Sequence, residues 1–171
     1  KWYLSLGIDM KNLKIREHTK GELSHYSSAT FDIDYLFPFG SKELGGIANR
    51  GQYDLNQHIK ESGKDLSIFD EETKERIVPR VIEPTFGMER AFLAVICEAY
   101  EYDKTRENIV LHFSPKLAPV KCAVFPLMNK DGQPEMSKKI YDELKKDYVV
   151  QMDKSGSIGR RYARQDEIGT P

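Results

Sequence analysis

The chain has 171 residues, 39% of them apolar and 31% charged, with 26 basic against 27 acidic side chains for a net charge of −1. That mixture builds a packed core and excludes a disordered chain, in a length that fits one ordinary domain or parts of two. The balanced charge neither demands nor forbids a nucleic-acid partner, because a local basic patch can meet a phosphate backbone.

Trp2 to Ile8 reads as the tail of a helix turning at Gly7. Thr30 to Phe37 alternates apolar with polar or aromatic residues, the period of a half-buried strand, and Pro38-Phe39-Gly40-Ser41 stops it. Leu44 to Ala48 is a short second strand weakened by Gly45 and Gly46, and paired glycines in a strand mark a close approach of ligand or backbone. Tyr53 to Ile59 is expected as a short helix, and Glu61 to Arg76, rich in charges and turn formers, as a surface excursion. Ile77 to Glu83 reads as a strand running into Pro84-Thr85-Phe86-Gly87. Met88 to Tyr100 follows as a helix, apolar all round from Ala91 to Cys97 and therefore expected to be buried on most of its surface. That apolar run is also the longest in the chain, far too short to span a bilayer.

Asp103 to Glu107 is expected as a linker loop and Ile109 to Phe113 as a strand, after which the character changes. Val120 to Leu127 reads as a buried strand, Asp131-Gly132 as a turn, and Pro134 to Lys146 as a helix with Met136, Ile140 and Leu144 on one face. Tyr148 to Met152 is a second strand and Ile158 to Gln165 a second helix. Strand and helix alternating through short connections imply a parallel α/β sheet. Cys97 and Cys122 sit in apolar runs without a CxxC pair or a Cys/His cluster, so two free thiols are expected rather than a zinc site or a disulfide.

Two constellations carry chemistry. In residues 37–55 Glu43 stands beside the Gly45-Gly46 pair, placing a carboxylate next to bare backbone. That suits a metal, an ammonium group or a nucleotide, though a bulged edge strand with a solvated glutamate is the more ordinary reading of the same residues. In residues 82–90 a strand ends in Glu83 and Thr85, which share one face by the period of 2, turns at Gly87, and enters a helix carrying Arg90 in its first turn. A helix start with an arginine fork suits phosphate, and a carboxylate with a hydroxyl suits an ammonium group. A structural Glu83–Arg90 bridge fits the same pattern.

Glu83 to Phe92 resembles motif three of the class II aminoacyl-tRNA synthetases, in the variant of the dimeric glycyl-tRNA synthetase family. Residues 37–55 are similar to that family's upstream region, and residues 117–121 and 156–169 to its anticodon-binding domain. The resemblance covers most of the chain in order. It implies the C-terminal part of an antiparallel-sheet catalytic domain (α+β) in residues 1–116, followed by the start of an α/β anticodon-binding domain in residues 117–171. ATP and Mg2+ are then the expected cofactors, with glycine and tRNA(Gly) as partners, a homodimer in the full-length protein, no membrane, and a cytoplasmic location.

The implied roles fall on the matching positions. Glu43, Leu44, Gly87, Met88, Glu89 and Arg90 are expected at ATP, with Glu43 near magnesium and Arg90 on the γ-phosphate. Glu43 and Arg90 are thereby the expected catalytic pair. Glu83, Pro84, Thr85, Phe86 and Gly87 are expected at glycine, Glu83 receiving its amino group. The family usually carries serine at position 85 and tryptophan at position 41, where this chain has Thr85 and Ser41. Arg160, Arg161 and Arg164, on one helical turn, are candidates for phosphates of tRNA or for a structural cluster. His18, His25, His58 and His112 have no ligand spacing and are expected on the surface or as caps.

Motifs one and two of the family have no counterpart in these residues, so the chain by itself is expected not to catalyse aminoacylation. Two rival readings remain at this level: a class II-like accessory protein that binds nucleic acid without catalysis, and a class II synthetase for another amino acid. The first should have lost Glu83, Thr85 and Arg90, which are present.

Overall fold

A computed structural model describes residues 1–171, which form two compact units, residues 10–91 and residues 1–9 with 92–171. Residues 10–91 hold four antiparallel strands in the order β1-β2-β3-β6: β1 Leu13–Glu17, β2 Ala29–Phe37, β3 Gly40–Gly51 and β6 Val81–Phe86. β2 and β3 form a hairpin around Pro38-Phe39, with Gly40 at φ 111°, a conformation that favours glycine. One sheet face is apolar. It carries Tyr35 and Phe37, both nearly fully buried, with ring centroids 4.7 Å apart at an edge-on angle of 78°. The other face is polar, carrying Thr30, Asp32 and Asp34 from β2.

Two bulges shape β3. Ile33 faces Gly45 while Asp34 faces Glu43, so Leu44 is the extra residue, and Asn49 faces Ile82 while Gly51 faces Val81, so Arg50 is the second. A bulge changes which face the following side chains occupy. Without the first, Glu43 would share the face of Gly45 by the period of 2; with it, Glu43 joins Asp34 on the polar face. Leu44 is 1% exposed, and burying such a side chain stabilises by roughly 2 kcal/mol. Pro84 lies within β6, which ends the strand order, so its missing N–H interrupts no second ladder.

α2 Tyr53–Ser62 follows β3 and ends at Gly63 with φ 68°. The expected surface excursion is exposed and holds a two-residue ribbon, β4 Ile68–Phe69 with β5 Arg76–Ile77. Two boundaries differ from expectation here. The strand expected over 44–48 runs from Gly40 to Gly51, because the bulges accommodate the residues that break its alternation. The strand expected over 77–83 runs from Val81 to Phe86, Pro79 standing before it.

Residues 1–9 and 92–171 hold α1 Trp2–Ser5, most of α3 Met88–Ala99, the hairpin β7 Tyr100–Asp103 with β8 Asn108–Leu111, and the α/β segment. In that segment β9 Cys122–Val124 and β10 Val150–Met152 pair in parallel, alternating with α4 Gln133–Leu144 and α5 Ile158–Ile168. The turn at Asp131 and Gly132 has both φ values positive, and Ser157 caps α5 by accepting from the Arg160 amide. α5 packs on β8: Asn108 Nδ2 donates to the Ala163 carbonyl at 3.4 Å, and Arg106 bridges Asp103 and Asp166 at 2.6 and 2.8 Å.

Three expectations fail in this unit. Residues 103–107 are the turn of the β7–β8 hairpin rather than a linker, Glu107 supplying the positive φ it needs. The strand expected over 120–127 keeps only three paired residues, half-buried, since β9 has a single neighbour. α3 buries its alanines, Ala91, Ala94 and Ala99, but leaves Met88 65% and Phe92 67% exposed. Its apolar circumference therefore has a covered small-residue side and an uncovered large-residue side. Cys97 and Cys122 are free thiols, half-buried, and burial raises the pKa of Cys97.

Candidate functional site

The polar face of the four-stranded sheet forms the floor of a cleft of about 290 Å³. Its rows follow from the register. His18 donates its amide to the Thr30 carbonyl, Thr30 faces Ala48, and Ala48 faces Glu83. In the next row Arg16 faces Asp32, Asp32 faces Gly46, and Gly46 faces Thr85. Glu43 completes the lining because the Leu44 bulge turns it onto this face. The middle of the floor is thus small and its margins are carboxylates and a hydroxyl.

Each polar margin is held by a second group. Arg50, the residue of the second bulge, donates Nη1 to Glu83 Oε2 at 2.6 Å and grips Asp54 with Nε and Nη2 at 2.6 and 2.8 Å. Its guanidinium also lies 4.0 Å from the centroid of the Tyr26 ring. Hydrogen bonds from Arg50 hold the Asp54 carboxyl below its ordinary range. Only one oxygen of Glu83 is engaged, so Oε1 remains available to a ligand. Thr85 Oγ1 donates to the Gly46 carbonyl at 3.3 Å. Asp32, 6% exposed, receives Arg16 and the Nε2 of His18, the latter at 2.8 Å. The hydrogen bond to Asp32 raises the His18 pKa above its ordinary value.

Arg90 lies at the start of α3, where Ala91 donates to the Gly87 carbonyl at 3.0 Å in the first helical turn. Its Nη1 donates to the Glu43 carbonyl at 2.8 Å and stands 3.9 Å from Glu43 Oε2. The Arg90 side chain is 58% exposed. One edge of the fork is occupied by main chain, and the remainder can accept a phosphate at the helix start.

The structure therefore brings Glu43, Glu83 and Thr85 to one cleft and ties Arg90 to Glu43. The alternative bridge from Glu83 to Arg90 does not form, each having another partner. Leu44 is buried, so only its main chain can serve a nucleotide. Pro84 and Phe86 alternate with Glu83 and Thr85 and project from the opposite face. Gly87, Met88 and Glu89 form the exposed entry to α3. Arg50, Asp32, Arg16 and His18 belong to the site as well. Alternating polar residues at 30, 32 and 34 are the sequence signal for Asp32, whereas nothing local marks Arg50 as the partner of Glu83.

The arginines of α5 separate in role. Arg161 is 4% exposed and donates to the Pro126 and Gly156 carbonyls, so it clamps the loop before the helix and cannot meet a phosphate. Arg164 is tied to Asp153 and to the Ser155 carbonyl. Arg160 alone is exposed without an ion pair.

Comparison with known proteins places this geometry in a class. A crystal structure of prolyl-tRNA synthetase from Cryptosporidium parvum, complexed with L-proline and AMP, superposes with a TM-score of 0.59 at 16% identity, over 92% of this chain and 33% of that one. The fold is therefore one shared with that synthetase, an antiparallel sheet together with an α/β segment, and residues 121–171 match the anticodon binding domain family. The glycine-tRNA ligases of Ruminiclostridium cellulolyticum, Geobacillus thermodenitrificans and Acetivibrio thermocellus are 54%, 50% and 51% identical over 99%, 100% and 99% of the chain. Along its whole length the chain is thus similar to glycine-tRNA ligases. It spans 37% of the length of each of these three relatives. No helix is long and apolar enough to cross a membrane.

Proposed function

We propose that the protein carrying this chain attaches glycine to tRNA(Gly) through an ATP-derived glycyl-adenylate, acting as a cytoplasmic homodimer. The observation that carries this reading is the cleft itself: Glu83 and Thr85 line it beside Glu43, and the Glu43 main chain holds Arg90 at a helix start. Glu83 receives the glycine ammonium on Oε1 while Arg50 fixes its other oxygen. The glycine carboxylate attacks the α-phosphorus of ATP and pyrophosphate leaves, with Arg90 neutralising the terminal phosphate. The terminal hydroxyl of tRNA then attacks the acyl carbon and AMP departs.

ATP fits here as substrate because a half-free arginine fork and a helix start converge on its expected phosphates. Mg2+ fits Glu43, half-exposed and single, since this ion is commonly held by one or two carboxylates together with substrate phosphates. When bound it would neutralise phosphate charge. We place the boundary between the catalytic and anticodon-binding domains near residues 116–119. The parallel β9–β10 pair and the family match from residue 121 support that position. Arg160 is the α5 arginine assigned to tRNA phosphate.

The direct test is Glu83→Gln in the full-length protein, read by glycine-dependent ATP–pyrophosphate exchange. Loss of a charged hydrogen bond costs roughly 1.5–3 kcal/mol, so KM for glycine should rise about 10- to 100-fold. A variant with unchanged KM for glycine and a native unfolding transition removes Glu83 from the amino-acid site.

A further inference from the structure

Arg16, Asp32, Gly46 and Thr85 lie in one row across four strands, and the members of a row project from one face. Three of them carry polar side chains; the one at the centre of the cleft carries none. A Cβ on Gly46 would lie 3.5 Å from Asp32 Oδ1 and 3.5 Å from Thr85 Oγ1. The space above Gly46 is thus bounded by a carboxylate on one side and a hydroxyl on the other, over a floor of main chain.

Backbone geometry does not account for this glycine. Gly46 is not among the residues with positive φ, and contacts of 3.5 Å are ordinary for a side-chain carbon. A glycine inside a strand weakens it, and this one sits in a strand paired on both sides. What the missing methyl leaves is room between Asp32 and Thr85.

Resting on the function proposed above, we propose that Gly46 is a specificity-determining residue of the amino-acid subsite. Its bare main chain lets the ammonium and Cα of glycine settle between the Asp32 carboxylate and the Thr85 hydroxyl. Arg16 and His18 fix the Asp32 wall, and the Gly46 carbonyl holds the Thr85 hydroxyl, so both walls resist retreat once the floor is raised. The subsite is therefore sized at its floor.

Gly46→Ala in the full-length protein tests this by ATP–pyrophosphate exchange and thermal unfolding. One methyl in a fitted subsite discriminates by at least about tenfold, so KM for glycine should rise by that factor while KM for ATP and the unfolding transition stay at wild-type values. An unchanged KM for glycine overturns the proposal, as does an equal rise in KM for ATP. An unfolded variant overturns it too, because close contacts around a Cβ would then explain the glycine. Wild-type protein without glycine-dependent exchange sinks the parent function together with this inference; wild-type exchange with an indifferent Gly46→Ala sinks this inference alone.

Discussion

At the scale of single residues, the site is built from side chains that hold one another before any ligand arrives. Asp32 is the clearest case: a nearly buried carboxylate gripped by Arg16 and His18. The hydrogen bond to Asp32 raises the pKa of His18 above its ordinary value, opposed by desolvation and the nearby Arg16 charge. A folded-state pKa above the unfolded one means that the protonated imidazole stabilises the fold. That contribution is complete below about pH 6.5 and is lost as pH rises through the folded value. His18→Gln should therefore lower the urea midpoint more at about pH 6 than at about pH 8. A difference between wild type and variant that is flat with pH, or grows as pH rises, would show that the pair is not charged.

At the scale of elements, the α/β segment is tied to the β7–β8 hairpin by the end of α5. Gly169 closes that helix with φ 72°, and a Cβ there would lie 2.3 Å from Phe113 Cδ2 and 2.8 Å from the Leu111 carbonyl. Gly169→Ala meets both a left-handed backbone and a fixed neighbour, so it should destabilise this unit by roughly 2–4 kcal/mol. Urea unfolding of the variant checks this, and a loss below about 0.5 kcal/mol, the ordinary range for surface substitutions, contradicts it. The elements most legible in sequence were those with a local signal: the alternation of β2, the helices α2 to α5 and the Asp131-Gly132 turn. β7 was missed because Tyr100–Asp103 continues an apolar helix and pairs only with a strand beyond its own turn. The extent of β3 was missed because two bulges break the period of 2. Those same bulges govern the site, since Leu44 and Arg50 determine which face Glu43 and the Arg50 guanidinium reach. Glu43, Glu83, Thr85 and Arg90 were therefore legible as a set from their motifs. Their partners Asp32, His18 and Arg50 depended on register.

At the scale of the whole molecule, the chain is about half identical to glycine-tRNA ligases along its entire length and spans 37% of theirs. Activity, substrates and assembly are accordingly properties to be measured on the full-length protein. In the proposed function the cleft activates glycine with Arg90 on the terminal phosphate of ATP. One charged contact that strengthens in the transition state is worth about 3 kcal/mol, or roughly 100-fold in rate. Arg90 is exposed, and the hydrogen bond it makes is to a main-chain carbonyl, so its loss should cost chemistry far more than stability. The measurement is glycine-dependent ATP–pyrophosphate exchange by wild type and Arg90→Ala, with thermal unfolding followed on the same samples. The proposed function predicts exchange with glycine in the wild type, a fall of about 100-fold or more in the variant, and an unfolding transition in the wild-type range. Exchange near wild type in Arg90→Ala, or a variant that simply unfolds, would contradict it.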